Sequence, residues 1–181
     1  FLAKALGGFN DWNNDYGDYK GVLQASKRVF RDKLGVVAQA SVERFNRGGD
    51  FLTNTWRQGA TDSTGTTAIF GNTLQLEDRL EIRKRQNASL ALDYAIGNNN
   101  FSFFGLYSRT SRDRSSMEEN YLPSEPAIRF IGTDIENSLR LTSLTLQGEH
   151  LLGKSTIDWT VATSESKGET PYNFELLFEN N

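Results

Sequence analysis

With 181 residues, 20 Lys plus Arg against 23 Asp plus Glu and a net charge of −3, the chain lacks the basic excess that nucleic-acid binding demands. It has no cysteine and one histidine, which excludes disulfide frameworks, thiolate metal sites and cysteine nucleophiles and leaves little from which to build a His-based metal site or a triad. No stretch approaches 18 continuous apolar residues, so a membrane-spanning helix is excluded, whereas a mean hydropathy of −0.54 does not argue against a spanning β-barrel, in which only alternate residues face lipid.

The elements read as strands in chain order. Residues 1–10 and 19–27 form the first two, joined by a long connection over 11–18. A short turn over 28–33 leads to 34–46, where Val36, Ala38, Ala40 and Val42 alternate with Gln39, Ser41 and Glu43. The polar stretch 47–78 reads as a long loop. The next strand, 79–96, has the clearest period: Leu80, Ile82, Leu90, Leu92, Tyr94 and Ile96 share one parity, and no large apolar side chain occupies the other. The turn Gly97-Asn-Asn-Asn100 precedes 101–113, whose facing the sequence leaves open, because Phe101, Phe103 and Tyr107 have one parity and Phe104 and Leu106 the other.

A long loop over 114–137 holds Pro123 and Pro126, and the strand 138–151 follows. A short turn over 152–154 then gives 155–166, where Ile157, Trp159 and Val161 oppose Thr156, Asp158 and Thr160. From Lys167 another long connection begins. The expected fold is therefore all-β, an antiparallel meander of about seven strands, with short turns at one end and long loops at the other as in outer-membrane barrels. Roughly 9–11 tilted residues cross a bilayer, and Ala88 to Ile96 fits that length. Bacterial single-chain barrels have even strand numbers, so about seven strands imply a part of a larger barrel. The chain begins at Phe1 and stops at Asn181 in an apolar-aromatic run, which leads us to expect 1–181 to be a single barrel fragment, with other parts absent.

Two sets of residues carry a family resemblance. One is Asp15-Tyr-Gly-Asp-Tyr-Lys, then Leu23-Gln-Ala-Ser, then Val29-Phe-Arg-Asp-Lys-Leu-Gly-Val-Val-Ala-Gln-Ala-Ser-Val-Glu-Arg-Phe-Asn-Arg; the other is Leu146-Gln-Gly-Glu-His150 followed by Ile157-Asp-Trp159. These resemble the early barrel hairpins of TonB-dependent receptors of the Bacteroidota. The resemblance implies an outer-membrane location in a barrel of about 22 strands plugged by an N-terminal domain. It further implies energised uptake of a siderophore, vitamin, glycan or peptide, with outer-membrane lipid and lipopolysaccharide, the protein's own plug and the TonB complex as partners. The plug and the coupling box lie outside these 181 residues. A passive outer-membrane porin, or a soluble β-barrel binding module with its apolar parity inside, are the alternative readings.

No enzyme, cofactor, metal site or nucleic-acid partner is expected. Arg79, Arg83, Lys84 and Arg85 form the densest basic cluster, read as a solvated wall, while Lys84 falls on the apolar parity and is a lipopolysaccharide candidate. His150, between Glu149 and Leu151, is assigned a structural role, and the acidic residues Glu118, Glu119, Glu125, Asp134 and Glu136 lack calcium-loop spacing. Aromatic residues in the long loops, Trp56, Tyr121 and Phe130 above all, are the candidates for stacking on a transported ligand. Asn87-Ala-Ser and Asn100-Phe-Ser match the glycosylation pattern only as short chance motifs.

Overall fold

The computed structural model describes residues 1–12 and 14–180; Asn13, inside the connection expected over 11–18, lies outside them. Among the described residues there is no helix. Eight strands follow one another: β1 (Leu2–Asn10), β2 (Asp15–Val29), β3 (Leu34–Asn46), β4 (Gly49–Thr61), β5 (Thr67–Ile96), β6 (Asn99–Leu122), β7 (Ala127–Leu152) and β8 (Ser155–Asn180). They form one antiparallel sheet in the order β1-β2-β3-β5-β6-β7-β8, with β4 also pairing β5, and the sheet is not closed. The expected meander is present, with eight strands in place of about seven.

The long loops are the principal correction. Residues 49–61 and 67–78 pair as a hairpin, 114–122 and 127–137 belong to β6 and β7, and β8 continues through 167–180. The register of β4 on β5, running from Gly49↔Arg79 to Thr55↔Thr73, extends backward without a shift to Arg47, whose N–H donates to the Glu81 carbonyl at 2.7 Å. Residues 47 and 48 therefore interrupt what is otherwise one line of pairing along β5. In 49–61 neither parity is consistently apolar, so the segment lacks the alternation that marks a half-buried strand, yet its Thr-rich backbone pairs as well as any other. Tight tips replace the loops. At 62–66 the Asp62 carboxylate accepts from the Thr64 and Thr66 backbone N–H groups, both at 2.9 Å, and from the Thr64 hydroxyl at 2.6 Å.

The residues group into two compact units, each described separately: residues 1–45, 83–111 and 137–169 in the first, and 46–82, 112–136 and 170–181 in the second. In the first, the hairpin turns place Gly97 (φ 60°) and Gly153 (φ 67°) at the first central position, the left-handed conformation that favours glycine in two-residue hairpins. The turn between β2 and β3 instead uses Phe30, Arg31 and Asp32 at φ 53–63°, held by Arg28 Nη1 donating to the Asp32 carbonyl at 2.9 Å.

A polar face runs across β2, β3, β5 and β6 of this unit. Glu43 receives Lys20 at 3.5 Å and Arg85 at 3.0 Å. Asn87 donates to Ser41 Oγ at 3.2 Å and accepts from Ser108 Oγ at 2.7 Å, while Arg28 meets Asp93 at 2.7 Å. The Ser108 contact settles the open facing of β6: its even parity joins the polar face, and Phe101, Phe103 and Tyr107 join the other. That other face carries Leu90, Leu144, Leu146 and Val161, all exposed.

Near the short turns the same apolar face holds an ordered aromatic group. Trp159 Nε1–H donates to His150 Nε2 at 2.9 Å, and His150 Nδ1 meets Asn99 Oδ1 at 2.8 Å. Because indole can only donate, Nε2 is the accepting side of the ring and Nδ1 faces the amide oxygen of Asn99. Phe101 packs edge-on to His150 with ring centroids 5.3 Å apart. The indole lies flat over Gly148, where a Cβ would run into its ring. We expect Gly148→Ala to destabilise the full-length protein by about 1–3 kcal/mol through overpacking, whereas Gly168→Ala, whose Cβ meets open space, should be close to neutral; denaturant unfolding of both variants checks this.

Candidate functional site

In the second unit the strand parity of β5 continues backward beyond the predicted start at Arg79. Leu74 and Leu76 keep the apolar parity, while Thr73, Gln75, Glu77 and Arg79 keep the polar one. Antiparallel pairing with β6 brings Arg112, Arg114 and Glu118 alongside these side chains. The result is a charged ladder centred on Glu77. Its carboxylate takes a two-pronged contact from Arg79, Nε to Oε1 at 2.7 Å and Nη2 to Oε2 at 2.6 Å, and a third from Arg114 Nη2 to Oε1 at 3.0 Å. A fork geometry of this kind is the strongest form of ion pair between side chains.

The ladder extends on both sides of this triad. Arg112 Nε lies 3.5 Å from Glu81, Gln75 donates to Glu118 at 3.1 Å, and the Arg79 guanidinium sits 4.3 Å from the centre of the Phe51 ring. Glu77 and Glu81 are each 7% exposed and Ser116 only 2%, so the least accessible side chains here are polar. The Ser116 hydroxyl is buried with no hydrogen-bond partner. The hydrogen bond from Arg79, ahead of the charges of Arg79 and Arg114, holds the Glu77 carboxyl below the ordinary glutamate range, and it raises the Arg79 guanidinium.

A groove of about 490 Å³ in this unit adjoins the ladder at Glu77 and Glu118 and has an apolar lining that includes Phe51, Leu76, Met117, Phe130, Leu176 and Phe178. Of the three aromatic candidates, Phe130 lines this groove. Trp56 does not: it stands exposed on β4, opposite Gly71. Tyr121, at the end of β6, donates its hydroxyl to Glu119 at 2.6 Å and is also outside the lining. All three lie in strands rather than in loops. Three of the five acidic residues named for the expected loop have side-chain partners, Glu118 with Gln75, Glu119 with Tyr121 and Glu125 with Arg129 at 3.0 Å. Among the described residues no group of three or more His, Asp or Glu side chains is arranged to hold a metal ion.

Sequence reasoning missed Glu77, because the stretch before Arg79 was assigned to a loop. The signal that finds it is the alternation that resumes at Leu76 and Leu74 beyond a single break at Asp78. Arg114 needed more than a local pattern, since its partner is 37 residues away and is named only by the register of β5 on β6. No family model matches the chain, and no curated protein matches it.

Glu77→Gln should destabilise the protein by about 2–4 kcal/mol at neutral pH, since two guanidinium groups then lose the charge that they share in a buried setting. The folded carboxyl is depressed, so its stabilisation is fully present above pH 4.5, the ordinary glutamate value, and is lost as pH falls through the lowered one. The stability gap between wild type and the variant, measured by denaturant unfolding, should thus be constant above that pH and close in acid.

Proposed function

We propose that the chain is part of a TonB-dependent outer-membrane receptor, a barrel of about 22 strands that takes up a siderophore, vitamin, glycan or peptide in an energised manner. The observation that carries this reading is the inverted distribution of side chains. Charged and hydrogen-bonding residues share one face of the sheet and include the buried Glu77, Glu81 and Ser116, while Leu80, Leu90, Leu144, Leu146 and Val161 lie exposed on the other. Ala127 is the one buried hydrophobic residue among those described. A water-soluble barrel or sandwich needs the opposite arrangement, with aliphatic side chains inside. A barrel in lipid needs this one, with apolar side chains outward and a polar lumen.

Three further features support the reading. The resemblance over 15–47 and 146–159 covers strands that carry this inversion. Trp159, Phe101 and Tyr94 on the apolar face gather near the short turns, as the aromatic girdle of a spanning barrel would. The charged ladder of the second unit supplies a polar surface for solute contact. A porin shares the inverted faces but conducts without energy. Full-length protein in liposomes should therefore leave permeability to small sugars unchanged, and rapid swelling in such sugars would identify a porin instead.

Facing is tested at two adjacent residues of β5. Leu92→Arg should cost on the order of 2–4 kcal/mol near the bilayer midplane, less toward an interface. Asp93 pairs with Arg28 at 2.7 Å with both side chains half exposed, so Asp93→Arg should cost less, about 1 kcal/mol. A photoprobe dissolved in lipid should label Leu92→Cys and spare Asp93→Cys. Equal labelling of both would sink the membrane reading.

A further inference from the structure

Among the described residues β4 is hydrogen-bonded to β5 alone, which leaves the other edge of this 13-residue strand open. Edge strands are ordinarily blunted by lysine, by proline or by a bulge of their own. Between Gly49 and Gln58 β4 has none of these. The stretch contains no Lys or Pro, and at the irregularity between Thr55 and Trp56 the extra residue, Asn72, belongs to β5. Residues 51–58 are all exposed, Leu52 and Trp56 at 69% and 64%.

The register on β5 decides which backbone groups the open edge offers. Arg47 N–H donates to the Glu81 carbonyl, and successive pairs of an antiparallel ladder alternate between bonded and unbonded, so the odd residues of β4 bond to β5. The even residues Leu52, Asn54, Trp56 and Gln58 therefore turn N–H and C=O outward, as a template for one more strand. When that strand is an antiparallel copy of β4, facing residues must share a side of the sheet, so their numbers have an even sum. Centring the pair on Asn54 sets Leu52 opposite Trp56, Thr53 opposite Thr55, Phe51 opposite Arg57 and Asp50 opposite Gln58. An apolar pair, a threonine pair and a cation on an aromatic ring all stabilise facing strands, and no like charges meet. The adjacent registers are poorer. Centring on Thr53 sets Trp56 against Asp50, and centring on Thr55 sets Leu52 against Gln58 and Trp56 against Asn54.

We propose that β4 pairs antiparallel, centred on Asn54, with β4 of a second copy of this chain, so that the two sheets continue as one. Each contact then occurs twice about a two-fold axis normal to the sheet. Backbone bonds from the even residues hold the copies together, and the facing side chains set the register. The Phe51 ring already receives the Arg79 guanidinium at 4.3 Å, and the pairing brings it a second cation. The inference goes beyond the receptor reading, because the edge is the same whether or not the sheet spans a membrane. Antiparallel copies run in opposite directions along β4. In inserted receptors the pairing thus joins proteins of facing membranes rather than neighbours in one bilayer.

The test oxidises full-length protein in detergent micelles with one cysteine introduced in β4; the 181 residues have no other. Asn54→Cys faces its own copy across the axis and should give a disulfide-linked dimer. Leu52→Cys should stay monomeric, because the two copies of residue 52 are offset by roughly 13 Å along the strand, beyond the about 7 Å between Cα atoms that a disulfide spans. A mixture of Leu52→Cys and Trp56→Cys proteins should link. Asn54→Pro removes only an outward N–H, so it should keep a heat-modifiable barrel but lose the clustering of liposomes that wild type produces. Linkage at 52 as abundant as at 54 overturns the proposal, as does monomeric Asn54→Cys in heat-modifiable protein or clustering that survives Asn54→Pro. Labelling of Leu92→Cys from lipid alongside monomeric Asn54→Cys removes the pairing alone. Linkage specific to 54 in protein that does not insert removes the receptor reading and leaves the pairing standing.

Discussion

A β-strand devotes every second side chain to each of its faces, and its backbone groups must find partners in neighbouring strands. In this chain those two requirements act together. The ladder of backbone bonds fixes which residues stand opposite one another, and the period of two then sorts them, so that Glu43, Arg85, Asn87 and Ser108 meet on one side while Leu90, Phe103 and Leu146 are left on the other. A shift of one residue in any pairing would bury aliphatics among charges. The ion pairs of the polar face are thus as much a record of register as a source of stability, and the half-exposed ones, such as Arg28 with Asp93, contribute little beyond that.

Much of this was legible in the sequence wherever one parity was apolar. The alternation from Leu80 to Ile96 identified β5 and its two faces, and the glycine turns at 97 and 153 located the β5–β6 and β7–β8 hairpins. Legibility failed where both parities are polar. Thr53, Asn54, Thr55 and Gln58 offer no contrast between faces, so β4 read as loop, although the tip chemistry of Asp62 to Thr66 marks a hairpin. The prolines at 123 and 126 likewise bracket a tight tip rather than a long excursion. Facing on β6 required a tertiary contact, because Phe104 and Leu106 dilute the signal from Phe101, Phe103 and Tyr107.

The candidate site divides in the same way. Phe130 was reachable as an aromatic residue in a polar setting and does line the groove of the second unit. Trp56 and Tyr121 were chosen on the same ground, but strand pairing sends them elsewhere, one to the exposed surface of β4 and the other to Glu119. The Glu77 triad joins β5 to β6, and its members acquire meaning only when the two strands are laid side by side. Residue type alone does not distinguish Arg114, which shares a buried carboxylate, from Arg109, which stands exposed on the other parity of β6.

The bond between Trp159 and His150 also gives the molecule an optical character. The chain has three tryptophans, and Trp12 and Trp56 are both exposed to solvent. Trp159 differs in having its N–H committed to an imidazole and its ring laid against a glycine on the next strand. Its emission is therefore governed by the pairing of β7 with β8 rather than by bulk water, and the native fluorescence of the chain carries a component that reports whether that hairpin has formed.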